Sequence, residues 1–527
     1  MNVFDKIVNN LKQEYKTVGP FYLSDCVGPH GYKKLHEFLQ SVYQTEFDNN
    51  FRIIIVQDCV DHYDYDDLPG RTLSELQKSA SKIDISNFFV LVISGNKDLP
   101  NELTQVQKLY SSDECSMQAY VIEDIEYDKI INQYDAFCVL PWTHLYVGTD
   151  GNFLPCCQSD HQFPLGNIQD HDIDEVYKSD RLKTLRRKML SNQRVKECAS
   201  CYRREDLGLQ SSRIKHNLRW HSVLSRHFLD PSGSITSFEP RYLDIRLNNI
   251  CNLKCRMCSG YFSSAIAQEE SELFGSQLSL DSSLNGRQRK QNLEKILAYV
   301  PHAEQIYFAG GEPLLSSEHY DILKKLIDCG NTDLEINYNT NFTTLQYRDI
   351  NVLDLWKQFS NITIGASLDA QGPVAKYVRH GTSWHIIETN LDLLTRHCPH
   401  VKFTVTSSVG LLNVQSLVEL QRSWHTQHKL DISKFSLNLI FEPAHLTLTV
   451  LPEQHKQRLD IMLKNHIAWC IQNGANRLAE QWQNVLTYMW SNDSSHQLGE
   501  FRRLTRLMDH HRGEDLTKSI PELQDIL

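Results

Sequence analysis

The stretch Asn249-Ile250-Cys251-Asn252-Leu253-Lys254-Cys255-Arg256-Met257-Cys258 decides how the rest of the chain is read. Three thiols fall within residues 251–258, in the spacing CxxxCxxC, directly after an apolar run at 242–247. Thiolate is the soft ligand that iron–sulfur clusters take. Three protein ligands on a four-iron cubane leave one iron open to a chelating group from outside. A structural zinc site is the competing reading, but zinc usually takes four protein ligands and pairs one C-x-x-C with another. The nearest later cysteine, Cys329, falls inside a helical pattern, so the triplet stands alone in its region. That favours iron–sulfur over zinc.

Outward from this loop, strand-like and helix-like segments alternate. Segments at 242–247, 305–308, 335–339, 362–367, 402–407 and 435–441 read as candidate strands. Helical periodicity fits 319–329, 384–397, 414–424 and 453–472. Six such steps predict an α/β fold, a parallel sheet with right-handed crossovers closed only partway into a (β/α)6 barrel. Ligands then collect at the C-terminal ends of the strands. The cysteine loop follows the first strand. The second ends in Ala309-Gly310-Gly311-Glu312-Pro313, where two glycines let the backbone approach a ligand closely. The third ends in Asn339-Thr340-Asn341 and the fourth in Ser367-Leu368-Asp369-Ala370. Short polar side chains there suit ribose hydroxyls, although Asn and Asp also favour ordinary turns.

In this arrangement the chain resembles the radical S-adenosylmethionine (SAM) superfamily. The cysteine loop matches its signature, and Gly310, Gly311, Glu312 and Pro313 match its GGEP motif one β/α unit later. The resemblance implies that Cys251, Cys255 and Cys258 hold a [4Fe–4S] cluster whose fourth iron is chelated by the amino and carboxylate groups of SAM. One electron then cleaves the sulfonium, giving methionine and a 5′-deoxyadenosyl radical that abstracts hydrogen from a substrate. It further implies that Gly310, Gly311, Glu312, Pro313, Asn341, Ser367 and Asp369 bind SAM. Arg379 matches an arginine often found after the fourth strand, and a solvated surface arginine is the alternative. Ser407, Ser408 and Asn413 are weaker candidates. Met257 stands where the family often has an aromatic residue, and a polarizable thioether can fill the same packing role.

Upstream lie Cys138, Cys156, Cys157, Cys198 and Cys201, with a Gly-x-x-x-x-Cys segment at 151–156 and a Gly166-Asn167 turn. This pattern resembles a SPASM or twitch-type auxiliary domain. Cys138, Cys156, Cys198 and Cys201 match it, and would ligate a second, auxiliary [4Fe–4S] cluster. Cys157 could replace Cys156. Such domains usually follow the barrel, whereas this one precedes it. The last cysteines of a two-cluster SPASM domain are missing, so one auxiliary cluster is expected. A Cys₄ zinc site fits the same four residues. A basic helix at 180–190, with Arg181, Lys183, Arg186, Arg187 and Lys188, could raise the potential of a nearby cluster; a solvated face is the preferred account of those charges.

The expected organisation has four parts. Residues 1–130 form a small α/β domain with strands at 51–58, 88–94 and 119–123 and helices around 35–43 and 73–82. Residues 134–223 form the Cys-rich domain, 242–450 the barrel, and 451–527 a polar helical region without evident chemistry. Cys26, Cys59 and Cys115 read as ordinary thiols.

The bulk numbers agree. The chain has 527 residues, 41% hydrophobic and 23% charged, with formal net charge −11. This is the composition of a soluble multidomain protein, and no basic block suggests a general nucleic-acid binder. No apolar run is long enough to span a membrane, and the N-terminus lacks a signal-peptide pattern. A cytoplasmic location follows as an expectation, and 14 cysteines in a reducing compartment point to metal rather than disulfides.

The resemblance implies a radical SAM enzyme, with an electron donor such as flavodoxin or ferredoxin. Relatives with auxiliary clusters often modify peptides or proteins, so a peptide or protein substrate is expected; the role of the N-terminal domain is left open, substrate or partner docking being one reading. A small molecule, a sugar or nucleoside, is the alternative. The non-enzymatic alternative is a zinc-stabilised binding protein. No substrate base can be chosen among the many Tyr, Cys and His side chains.

Overall fold

The computed structural model describes the backbone of residues 52–57, 88–94 and 118–123, and residues 135–220, 230–246, 248–275, 286–427 and 429–527. The helices expected around 35–43 and 73–82, and Cys26, Cys59 and Cys115, lie outside the described residues. The chain divides into two compact units. One comprises residues 1–139, 184–195 and 212–235; the other comprises 140–183, 196–211 and 236–527.

In the first unit, β1 (Arg52–Gln57), β2 (Phe88–Ser94) and β3 (Gln118–Glu123) form a parallel sheet in sequence order. All three are apolar runs of the kind that parallel sheets use. Near the end of this part of the chain, Arg213 Nη1 and Asn217 Nδ2 donate to Phe137 O at 2.7 and 3.0 Å, and Val139 N donates to Asn217 Oδ1 at 2.8 Å. Cys138 is thus clamped on both sides. Arg186, read from sequence as one of a solvated basic face, is fully buried.

The second unit is built on a nine-stranded sheet. Its parallel part contains β7 (Tyr242–Ile245), β9 (Gln305–Phe308), β10 (Glu335–Thr340), β13 (Ile362–Ala366), β15 (Lys402–Val409) and β16 (Phe435–Leu439), side by side in chain order. The small elements between them are β8 (Lys254–Cys255), a hairpin of β11 (Gln346–Tyr347) and β12 (Ile350–Asn351), and β14 (Arg379–His380). This largely parallel sheet is consistent with a radical SAM partial barrel. The helices expected at 384–397 and 453–472 form over those residues.

The sheet does not stop at β7. It continues into β4 (His144–Val147), β5 (Asn152–Leu154) and β6 (Gly166–Asn167) of the Cys-rich segment. β4 pairs in parallel with β7, with Tyr146 opposite Asp244. β5 and β6 then add antiparallel.

Period-two alternation gives the sheet two chemically different faces. Leu145, Leu243, Ile306, Ile336 and Ile362 are successive register partners, and all are fully buried. One residue along, the partners are Tyr146, Asp244, Tyr307, Asn337 and Thr363. The first row is an aliphatic seam. The second lies on the opposite face and is polar, the arrangement of a sheet that shelters a site rather than a second apolar layer.

Candidate active site

The cysteine loop is braced from several directions. Asn248 Nδ2 donates to Ser316 Oγ at 2.8 Å, and Asn249 Nδ2 donates to Gly260 O at 2.9 Å. The loop ends in helix Ser264–Phe274, whose cap Ser263 accepts from Ile266 N and donates to Leu253 O. Cys258 N closes a turn on Cys255 O at 3.1 Å. β8 carries Cys255 and pairs with β14, setting Arg379 opposite Cys255.

Charge on Cys255 is felt at both Cys251 and Cys258, and Cys251 adds to the effect at Cys258. Burial pushes the Cys251 thiol up to about 11, with Glu312 and Cys255 adding to the shift. It pushes Cys258 up to about 12, with Cys255 and Cys251 adding. Cys255 is raised by burial too, and Arg379 opposes this. Without a cation such thiols stay protonated; binding as thiolates releases protons. Arg379 Nη1 lies 3.5 Å from Cys255 Sγ, and its Nε donates to Asp369 Oδ2 at 2.7 Å. Arg379 is therefore a largely buried, paired cation beside Cys255, not a solvated arginine.

The glycines of the second strand's end press on this loop. A Cβ on Gly311 would sit 2.3 Å from Ile250 O and 2.7 Å from Asn249 C. Gly310 has φ +111°, which side chains avoid. Glu312 N donates to Ile250 O at 2.6 Å. The Glu312 carboxylate is buried and already engaged. It accepts from Thr340 Oγ1 at 2.6 Å, Asn341 N at 2.7 Å and Leu314 N at 3.1 Å. Pro313 is buried at the start of the short helix that follows. Asn341 Nδ2 donates to Asn252 Oδ1, inside the cysteine loop, at 2.8 Å.

Ser367 is half-buried at the end of β13, its N–H donating to Thr340 O. Asp369 is buried. Besides Arg379 it receives Ser408 N at 2.7 Å, and Asn413 Nδ2 donates to Asp369 O. Ser407 Oγ donates to Leu368 O. Ser408 and Asn413 therefore brace Asp369. The structure brings the cysteine loop, the glycine segment, Asn341, Ser367 and Asp369 together at one end of the sheet. Within that group, Glu312, Asn341 and Asp369 spend hydrogen bonds on holding the others.

In the Cys-rich segment, Asn167 Nδ2 donates to Asp150 O and Asn152 Oδ1, locking the hairpin through the Gly-Asn turn. Cys156, Cys198 and Cys201 are buried, with Cys198 and Cys201 at the start of helix Ala199–Asp206. Ser159 Oγ donates to Glu197 O at 2.8 Å, and Asp160 N donates to the same oxygen. Ser159 N closes a turn on Cys156 O, so the Cys156 turn is stitched to the Cys198 turn. Cys138 belongs to the first unit. Cys157 turns instead toward Asp244 and Arg246 of the polar sheet face, and burial pushes its thiol up to about 12. The Asp244–Arg246 pair, bonded at 2.9 and 3.1 Å, was not singled out by sequence reasoning. Its only signal is charge at alternate positions of an apolar strand.

Residues 245–420 match the radical SAM superfamily, and residues 138–202 match SPASM, an iron–sulfur cluster-binding domain. The chain therefore carries a radical SAM domain together with a SPASM iron–sulfur domain. Its cofactors are accordingly a [4Fe–4S] cluster with SAM and an auxiliary iron–sulfur cluster. Similar solved structures include native anSMEcpe with bound AdoMet, at 17% identity over 44% of this chain and 61% of that one, TM-score 0.32. The same protein with AdoMet and a Cp18Cys peptide gives 16% identity over 44% and 61%, TM-score 0.31. Streptococcus suis SuiB bound to S-adenosylmethionine gives 17% over 50% of each chain, TM-score 0.29. The matched part spans 61% of the anSMEcpe chain. Among proteins of curated function none matches. No described helix is long and apolar enough to cross a membrane.

Proposed function

We propose that this radical SAM protein cleaves SAM reductively at a cluster held by Cys251, Cys255 and Cys258, and abstracts hydrogen from a peptide or protein substrate. The observation that carries this reading is the braced loop that holds Cys251, Cys255 and Cys258, with Arg379 Nη1 3.5 Å from Cys255 Sγ and a glycine segment packed on the loop with no room for a Cβ. When bound, the cluster and SAM supply a 5′-deoxyadenosyl radical.

The chain's own residues place that chemistry. Gly310 and Gly311 let this segment pack against Arg246, Asn248 and the start of the cysteine loop, and their backbone would hold the methionine amino group of SAM. Glu312 fixes their position from behind through Thr340, Asn341 and Leu314. Asn341 ties the third strand to the loop, and Ser367 offers a hydroxyl at the same rim. Asp369 aims Arg379 at the thiols.

For the auxiliary cluster we assign Cys156, Cys198 and Cys201, with Cys138 as the fourth ligand on motif order. Cys157 is left out because its thiol turns to the Asp244–Arg246 pair. A donor of the flavodoxin or ferredoxin type supplies the electron. The SPASM match supports the auxiliary cluster, and the peptide or protein substrate is our reading of the resemblance to auxiliary-cluster proteins.

The test is anaerobic reconstitution of the protein and a Cys255→Ala variant. Iron, sulfide and 5′-deoxyadenosine are measured after adding reductant and SAM. Roughly eight irons per chain, with deoxyadenosine formed only by the unmodified protein, is the expected result for two [4Fe–4S] clusters. Zinc without iron, and intact SAM, would overturn the reading. Deoxyadenosine stimulated by a nucleoside or sugar but by no peptide would replace the substrate class.

A further inference from the structure

Two groups of buried charge join the cysteine loop to the end of the chain. The first centres on Arg256, which sits between Cys255 and Cys258 with its side chain 3% exposed. Its Nη2 donates to Asp509 Oδ1 and, at 2.7 Å, to Glu514 Oε2. Its Nε donates to Tyr377 O at 3.1 Å, and the guanidinium lies 3.7 Å over the Tyr377 ring. The Tyr377 hydroxyl donates to the same Asp509 oxygen at 2.8 Å. The other oxygen of Asp509 accepts from Leu516 N.

The second group centres on Glu269, in the helix that follows the cysteine loop. Arg512 grips it with a fork, Nε to Oε1 at 2.8 Å and Nη2 to Oε2 at 2.5 Å. Lys254, from the loop itself, lies 3.7 Å from the same carboxylate. A third strand of contact runs through β14. His380 Nδ1 meets Glu514 Oε1 at 2.7 Å, while its neighbour Arg379 reaches Cys255 Sγ.

The partners cross over in sign. A loop cation meets acids of the terminal segment, and an acid just past the loop meets a terminal cation. All the terminal residues come from the last turn of helix Leu498–Arg512 and the turn after it. Gly513, at φ +65°, ends the helix in the left-handed conformation. It folds Glu514 back beside Asp509, so both acids reach one arginine. Charges this buried hold their geometry firmly, because a charge left without its partner in the interior is strongly disfavoured.

We propose that helix Leu498–Arg512 and its cap are a clasp that sets the spacing of Cys251, Cys255 and Cys258, with Asp509, Arg512 and Glu514 as positioning residues. The clasp itself rests on geometry alone; its consequence for the cluster rests on the function proposed above.

The test uses the full chain carrying Asp509→Asn with Glu514→Gln, and separately Arg512→Lys. In the metal-free protein, alkylation of each cysteine is timed by peptide mass spectrometry, with Cys398 and Cys470, buried elsewhere, as internal references. After reconstitution, the electron paramagnetic resonance spectrum of the reduced protein is recorded with and without SAM. In the double variant, alkylation of Cys251, Cys255 and Cys258 should quicken at least tenfold, with Cys398 and Cys470 unchanged. Its SAM-dependent spectral change should be lost or shifted, and the milder Arg512→Lys variant, which keeps a cation beside Glu269, should retain part of it. Unchanged alkylation and an unchanged spectrum would overturn the clasp. Faster alkylation at every cysteine would overturn it too, by showing general loosening. Selective alkylation in a protein that takes up no iron even unmodified would uphold the clasp and remove the proposed function instead.

Discussion

Replacing Gly311 with alanine tests the site at its tightest point. The new Cβ would lie 2.3 Å from Ile250 O, 2.7 Å from Asn249 C and 2.8 Å from Ile250 N. All three are backbone atoms, so no rotamer change relieves the clash. Ordinary van der Waals contact begins near 3.4 Å, so the two segments must part by about 1 Å. Ile250 immediately precedes Cys251, so the displacement falls on the first thiol of the triplet. It also stretches the 2.6 Å bond from Glu312 N to Ile250 O. Overpacking of this kind costs about 1–3 kcal/mol. If that strain is released by moving the loop, SAM affinity falls by roughly 5- to 150-fold. The assay is anaerobic: iron per chain after reconstitution, then SAM binding by equilibrium dialysis. Gly286→Ala is the control, because a Cβ there meets only the end of the Arg289 side chain at 4.0 Å. A Gly311→Ala protein that holds the same iron and binds SAM as tightly would refute the reasoning.

Three further outcomes are expected. Ser159→Ala removes one of the two bonds to Glu197 O that stitch the Cys156 and Cys198 turns, so the variant should lose about four irons while still forming deoxyadenosine; full iron retention would count against it. Asp369→Asn takes the charge partner from buried Arg379, which should cost about 3–5 kcal/mol, read as a lower thermal midpoint; an unchanged midpoint would show that the pair holds nothing. His319 is buried against the Tyr338 hydroxyl at 2.8 Å, and burial pulls its pKa down to about 3. The unfolded chain then binds the extra proton below pH ~6.5, so stability falls as pH drops from about 6.5 toward 3. The loss should be about 2 kcal/mol between pH 6.5 and 5. His319→Phe should flatten that part of the urea-denaturation profile, and an unaltered slope would contradict it.

The parallel strands were legible because each sets apolar residues at alternate positions between turn-rich segments. Ile306, Ile336 and Ile362 lie at such positions and form one fully buried seam. The thiol triplet and the glycine segment were legible because their spacing is local. What escaped was set by contacts far apart in sequence. Nothing near Tyr146 announces that β4 will pair with β7, since its partner Asp244 lies well beyond any periodicity window. Arg379 reads equally as a surface arginine until Asp369 and Cys255 are seen beside it. The tail looked polar and without chemistry because Asp509, Arg512 and Glu514 are charged. They are nonetheless mostly buried, and their partners Arg256 and Glu269 lie about 240–260 residues earlier. Asp369 and Glu312 sit at the expected strand ends, yet their carboxylates serve neighbouring backbone and side-chain donors.

The pairing of β4 with β7 also bears on how the protein is made. The strand that completes this edge of the sheet is synthesised about a hundred residues after the hairpin it joins. At a translation rate of about 5–20 residues per second, the β4–β6 ribbon waits some 5–20 seconds for its partner. During that interval its outer edge offers unpaired backbone groups, together with Cys156 and Cys157, to whatever is nearby. The ribosome-bound chain is therefore most exposed to mispairing and to stray metal before the first barrel strand emerges. A pulse of thiol-reactive reagent on stalled nascent chains of increasing length would mark the moment at which β7 closes that window.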